Sequence, residues 1–160
     1  MNSREVTELK RLLYNHCREY IDGLLNVATT GIAEAQEAAR QEGKSSAGDK
    51  FETHRAMMHL QLEGFIRRLE VAKVLDRELQ SISYTLTVDK IKSGALVETD
   101  RGWYFVAVSA PPLKLGSIRY VCLSSDAPIY RALANKGAGD LVEWRAPNGE
   151  EGWIDVIEVY

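Results

Sequence analysis

From Val6 onward, apolar residues recur at Leu9, Leu13, Cys17, Tyr20, Leu24, Val27 and Ile32, and these steps draw one stripe along a helix. The pattern predicts a helix over about residues 4–41. A second run, Phe51, Met58, Leu62, Phe65, Leu69, Ala72 and Leu79, keeps a seven-residue repeat with Arg55 and Asp76 at its other core positions, the seam of a coiled coil. Between the runs lies EGKSSAGD, residues 42–49, where Gly43 supplies a helix stop and Ser45 or Ser46 a start. The chain is expected to reverse there into an antiparallel hairpin roughly 50 Å long, since a helix rises about 1.5 Å per residue. Gly23 and Gly31 each weaken the first helix by about 1 kcal/mol relative to alanine, and Thr29-Thr30-Gly31 marks a candidate bend.

Beyond residue 80 the period changes. Tyr84 to Val88, Leu96 to Glu98 and Trp103 to Ser109 are short runs rich in β-branched and aromatic residues, with Asp100-Arg101-Gly102 as the turn between the last two. Pro111-Pro112 is expected to stop strand pairing. Ser117 to Leu123 predicts another strand, and Asp126 as N-cap with Pro128 in the first turn predicts a short helix to about Asn135, closed by Gly137 and Gly139. Leu141 to Arg145 and Trp153 to Val159, joined by the turn Pro147-Asn148-Gly149, complete a sheet of about five strands carrying one helix. The fold class is α+β, with a hairpin over 1–80, its tip at about 42–52, and a β-rich domain over 81–160.

Composition sharpens that division. All four Pro, all three Trp and nine of the 13 aromatic residues lie after residue 80, which marks two architectures in a chain of 160 residues. The formal net charge of -3 is spread over both halves, so neither is a basic tail suited to nucleic acid. No apolar run approaches the ~20 residues of a transmembrane helix, and the opening MNSREVTELK has no apolar signal core, which predicts a cytoplasmic protein without membrane contact. Cys17 and Cys122 have no CxxC or histidine companions in sequence, so neither a disulfide framework nor a zinc site is expected. In the β-rich half, Cys122 reads as a buried small hydrophobe, and Trp103, Trp144 and Trp153 as core or sheet-face residues. No His follows position 59, and no Ser stands in a GxSxG context, so no nucleophile–base pair of a hydrolase is apparent.

The tip holds the chemistry. Asp49 and Glu52, three residues apart at the start of the second helix, project from nearly the same side of its first turn. Two hard oxygen donors on a protruding tip can share a Mg2+ held mainly by another macromolecule. The same spacing also suits a cap, because Ser46-x-x-Asp49 resembles a capping box and the helix dipole favours acids in the first turn. Lys44, Lys50 and Arg55 either anchor these acids, face phosphates or form a solvated rim. His54 and His59 are five residues apart, off the helical spacing of a metal pair, and read as solvated or partner-facing.

Two strings resemble the bacterial Gre transcript-cleavage factors. The tip sequence GDKFE, Gly48 to Glu52, is similar to that family's G-D-x-x-E, with Asp49 and Glu52 at its acids. APIYRALANKGAGD, residues 127–140, is similar to the family's S-P-[apolar]-G-x-A-L-[apolar]-G-K-x-x-G-D, although Ala127, Tyr130 and Asn135 replace a Ser and two Gly. The resemblance covers nearly the whole chain and implies a coiled-coil hairpin followed by an FKBP-like α+β domain. It implies a non-enzymatic factor that docks on bacterial RNA polymerase and inserts its tip through the secondary channel; a monomer is expected, though the sequence leaves the oligomeric state open. There Asp49 and Glu52 would help hold the Mg2+ of the polymerase active site at the RNA 3′ end, shared in trans and not bound tightly by the factor alone. Lys44, Lys50, Arg55, Pro128 and Ile129 are the candidate partner-binding residues. Two alternatives stay open: a regulator that occludes the channel without stimulating cleavage, and a coiled-coil scaffold for another protein.

Overall fold

A computed structural model describes residues 1–42 and 49–160. The chain forms two compact units, one of residues 1–20 with 78–160 and one of residues 21–77. Helix α1 runs unbroken over Ser3–Glu42 and α2 over Asp49–Gln80. Asn2 and Glu5 start α1 as a reciprocal cap, in which Asn2 Oδ1 accepts the Glu5 N–H and Glu5 Oε2 accepts the Asn2 N–H, each at 2.9 Å. The candidate bend at Thr29-Thr30-Gly31 is absorbed into the helix, with Thr29 Oγ1 donating back to the Leu25 carbonyl at 2.9 Å.

Within residues 21–77 the two arms pair antiparallel. Gly31 of α1 lies under the Phe65 ring of α2, and Glu42 near the end of α1 reaches His54 near the start of α2. The α2 seam behaves as its repeat predicts: Phe51, Met58, Leu62, Phe65 and Leu69 are half-buried and Ala72 is buried. The α1 stripe needs one correction here, because Val27 is 57% exposed whereas Ala28 is fully buried. The helical period of 3.6 carries the inward face past residue 27, and small residues at 28 and 31 let the arms approach.

The other unit is built on a six-stranded sheet. Its strands are β1 (Leu96–Thr99), β2 (Gly102–Ala107), β3 (Ala110–Leu115), β4 (Ile118–Ser124), β5 (Leu141–Arg145) and β6 (Glu151–Val159), in the spatial order β3-β4-β2-β1-β6-β5. Among the described strands β2 and β4 alone pair in parallel. Short helix α3, Pro128–Leu133, sits between β4 and β5 in sequence. Leu133 joins Val97, Val106, Leu123, Ile154 and Val156 in the core on one face. Leu96, Phe105 and Cys122 stand in register across β1, β2 and β4, and all three are buried. Cys17 of α1 is likewise fully buried.

Three local expectations are overturned. Tyr84 to Val88 is not a strand; the Tyr84 ring packs tilted at 42° against Tyr14 of α1 with ring centroids 4.8 Å apart, and the Leu86 carbonyl accepts a hydrogen bond from Lys10 Nζ at 2.9 Å. Contact with α1 therefore replaces a strand partner. Pro111 and Pro112 lie inside β3 instead of ending the pairing, because β3 is an edge strand whose register shifts between Ala110 and Leu113. A proline at such a bulge on an edge costs no ladder hydrogen bond. Asp126 does not cap α3: the N-cap is Ala127, with Pro128 as first helical residue, and the helix ends at Leu133 before Asn135 takes a φ of 63°.

Lys10 is the buried residue the apolar pattern conceals. It occupies the stripe between Val6 and Leu13, is 1% exposed, and donates to the carbonyls of Leu86 and Tyr160 at 2.9 and 3.2 Å. Its ammonium thus ties α1 to the segment entering the sheet and to the end of β6.

Candidate functional site

The tip is assembled by the start of α2. Asp49 is the first residue of that helix and Glu52 completes its first turn, exposed to solvent beside an exposed Lys50. Phe51, between them, is half-buried, so the amphipathic repeat that packs Phe51 inward is what turns its neighbour Glu52 outward. Lys44, Gly43, Ser45, Ser46 and Gly48 lie outside the described residues, and with them the capping reading of Ser46. For Asp49, its place at the head of α2 is what is described.

One turn further on, Arg55 lines a cavity of about 420 Å3 between the arms, walled by Ala35, Ala39, Phe51, Met58 and Leu62. Alanines on α1 opposite large apolar residues on α2 leave this gap, and Arg55 at a seam position borders it. His54 is exposed, as the sequence suggests, and also reaches across the arms: its Nε2 lies 2.5 Å from Glu42 Oε1. That contact fastens the end of α1 to the second turn of α2, just behind Glu52. His59 is exposed and borders the same cavity.

Among the described residues no group of three or more His, Cys, Asp or Glu side chains gathers to hold a metal. Glu52 is the acid described as open to solvent at this helix start; Mg2+ in general keeps several waters and is held weakly by one or two carboxylates.

Pro128 and Ile129 belong to the other unit, at the head of α3. Pro128 is exposed, whereas Ile129 is half-buried and packs on the core, so it offers part of its surface only. The remainder of this motif is architectural. Asp140 Oδ2 accepts the Gly137 N–H at 2.7 Å, Gly139 adopts a φ of 83°, and its N–H reaches the Val156 carbonyl at 2.7 Å. The glycine and aspartate thereby turn the chain from α3 into β5.

Sequence reasoning passed over Lys10, the Gly31–Phe65 contact and the Glu42–His54 pair. Lys10 had a legible signal, a polar residue on the apolar stripe. The others join positions distant in sequence and have none.

The chain is 30% identical over 134 residues to the transcription elongation factor GreA of Chelativorans sp. (strain BNC1), covering 80% of each chain. It is 33% identical over 129 residues to GreA of Brucella canis, covering 76% of this chain and 77% of that one. No family model matches. Among solved structures, Gfh1 of Thermus aquaticus gives a TM-score of 0.35 at 17% identity, covering 91% and 95% of the two chains. GreA/GreB from Nitrosomonas europaea gives 0.29 at 20% identity, covering 55% and 78%. On the identity and length it shares with GreA proteins, the chain belongs to the Gre family of transcription elongation factors.

Proposed function

We propose that this protein binds bacterial RNA polymerase as an elongation factor and presents Asp49 and Glu52 to the polymerase active centre, stimulating cleavage of backtracked RNA. The observation that carries this reading is the placement of the two acids on the first turn of the second arm of an antiparallel hairpin, with Glu52 exposed. Asp49 and Glu52 could hold a Mg2+ there, which would supply Lewis acidity for phosphodiester cleavage. Lys50, and Lys44 before the helix, offer cations to the RNA backbone, and Arg55 sits one turn behind. The Glu42–His54 contact and the seam hold the helix end in place, so that the carboxylates meet their target with little conformational entropy left to lose. In the other unit, the exposed Pro128 and the outer part of Ile129 form the second surface for the polymerase. The bond-breaking centre belongs to the polymerase, and this chain contributes acids to it.

The test is a stalled elongation complex incubated with the full chain. Release of short 3′ RNA fragments is expected, falling on the order of 100-fold for Asp49→Ala/Glu52→Ala, the scale of losing an electrostatic contact made to a transition state. Co-sedimentation of that variant with polymerase should persist. Fragment release no greater than with the double variant would refute the reading; transcription inhibited equally by both proteins would instead assign channel occlusion.

A further inference from the structure

The heptad of α2 turns one face inward, and a second stripe of the same spacing runs along the face turned away from it. Met57, Leu60, Val71 and Val74 are between 43% and 65% exposed, and steps of three and four link them once Gly64 and Arg67 fill the places between Leu60 and Val71. A helix with a single seam carries polar residues on such a face. Four large apolar side chains in line on exposed helix mark an interaction surface.

We propose that this stripe is a self-association surface, on which α2 of a second copy of the chain packs antiparallel about a two-fold axis between Gly64 and Arg67. The stripe is complementary to itself in that arrangement: Met57 meets Val74, Leu60 meets Val71, and Gly64 meets Arg67 of the second copy. The central meeting matches in shape and in charge. A Cβ built at Gly64 has nothing within 4 Å, and the glycine opens into a depression of about 660 Å3 lined by Ala35, Ala38 and Leu60, with Glu34 and Arg68 also on its walls. The aliphatic stem of Arg67 from the second copy lies along that apolar lining, and its guanidinium reaches Glu63 and Glu34. Within one chain Arg67 is already 3.7 Å from Glu63, so two such pairs surround the axis. Arg68 is drawn over the Phe65 ring, 5.4 Å from its centroid, and Glu70, which flanks Glu63 across the axis, is paired with Lys73 at 3.1 Å. A parallel pair lacks this fit, because each Arg67 would face its own copy. The contact from Met57 to Val74 is roughly 25 Å long at about 1.5 Å per residue. Its area lies at the low end of specific interfaces, about 1,000 Å2 in total, which corresponds to a weak dimer with a dissociation constant on the order of 10 µM. The dimer departs from the monomer expected from the sequence.

The experiment is sedimentation velocity of the full chain at concentrations well below and well above that constant, paired with cysteine cross-linking. A shift from monomer to dimer with concentration is expected. Leu60→Glu/Val71→Glu should weaken it by about 30-fold or more, the scale of losing buried anchor residues. Both positions are exposed, and far-UV circular dichroism checks that the helices of the variant persist. When Leu60→Cys and Val71→Cys chains are mixed, disulfides should form between unlike chains in preference to like ones, since the native Cys17 and Cys122 are buried. A chain that stays monomeric throughout, a dimer that the double substitution leaves intact, or cross-linking preferred between two Leu60→Cys chains would overturn the proposal. A monomeric chain whose double variant loses co-sedimentation with RNA polymerase would overturn it too, and would assign the stripe to that partner. None of these readouts involves RNA cleavage, so they stand or fall separately from the role of Asp49 and Glu52.

Discussion

Replacing Gly31 by alanine tests how the two arms of the hairpin are held. A Cβ built at Gly31 falls 2.4 Å from Cδ1 and Cε1 of Phe65 and 2.6 Å from its Cζ, whereas ordinary contact begins at 3.4 Å. The ring must therefore retreat by about 1 Å or the arms must part, and overpacking of this kind costs about 1–3 kcal/mol. Working against it, alanine is better than glycine in a helix interior by about 1 kcal/mol. Gly23 supplies the control, because it lies in the same helix and the same unit with nothing within 4 Å of its would-be Cβ. Both variants share the propensity gain, so the difference between them isolates the packing term. Gly23→Ala should be stabilised by up to about 1 kcal/mol and Gly31→Ala should fall about 1–3 kcal/mol below it. The assay is urea unfolding followed by far-UV circular dichroism, with hydrogen exchange of amides in residues 21–42 to localise the change. Adding Phe65→Leu to Gly31→Ala should recover part of the loss, since it removes the ring the methyl group strikes. If Gly31→Ala is as stable as Gly23→Ala, close approach at this crossing is not what fixes the hairpin.

Two further changes follow from the other unit. Lys10→Met should destabilise by about 1–3 kcal/mol, because it keeps the apolar stem but strips the Leu86 and Tyr160 carbonyls of their donor. Burial lowers the Lys10 ammonium to about 8 from 10.5, so between those pH values the unfolded chain holds a proton that the folded chain has lost. This group's contribution to stability therefore rises with pH across that window, and the stability–pH profile of Lys10→Met should lack the rise. Gly94→Ala should cost more than Gly139→Ala: both glycines have positive φ, 86° and 83°, but a Cβ at residue 94 would also lie 2.4 Å from the Ser83 carbonyl oxygen while residue 139 has open space. Thermal unfolding of the two variants compares strain alone with strain plus collision, and equal midpoints would refute the distinction.

Element type was largely legible because it is a local matter. The three- and four-residue steps of α1 and the heptad of α2 report which side of a helix sheds water, and that preference is written residue by residue. The turn at Pro147-Asn148-Gly149 was equally local, and Gly149 takes the positive φ of 89° such a turn requires. Misreadings arose where a distant segment changed the cost of a conformation. Tyr84 to Val88 has the composition of a strand but finds Tyr14 and Lys10 instead of a strand partner. The Pro111-Pro112 pair is tolerated because β3 has a neighbour on one side only.

For the candidate site, the sequence by itself nominates the pair Asp49 and Glu52, since two acids one turn apart on a helix need no tertiary contact to share a side. It also determined that Phe51 packs and Glu52 does not. Tertiary structure alone decided that Glu42 meets His54 behind those acids, that Gly31 serves close packing and not a bend, and that Cys17, isolated in sequence, is fully buried. The physical reason is the same in each case. Periodicity specifies which face of an element turns inward, but the residue it meets there depends on the register and approach of another element, and no pattern within a single segment encodes that.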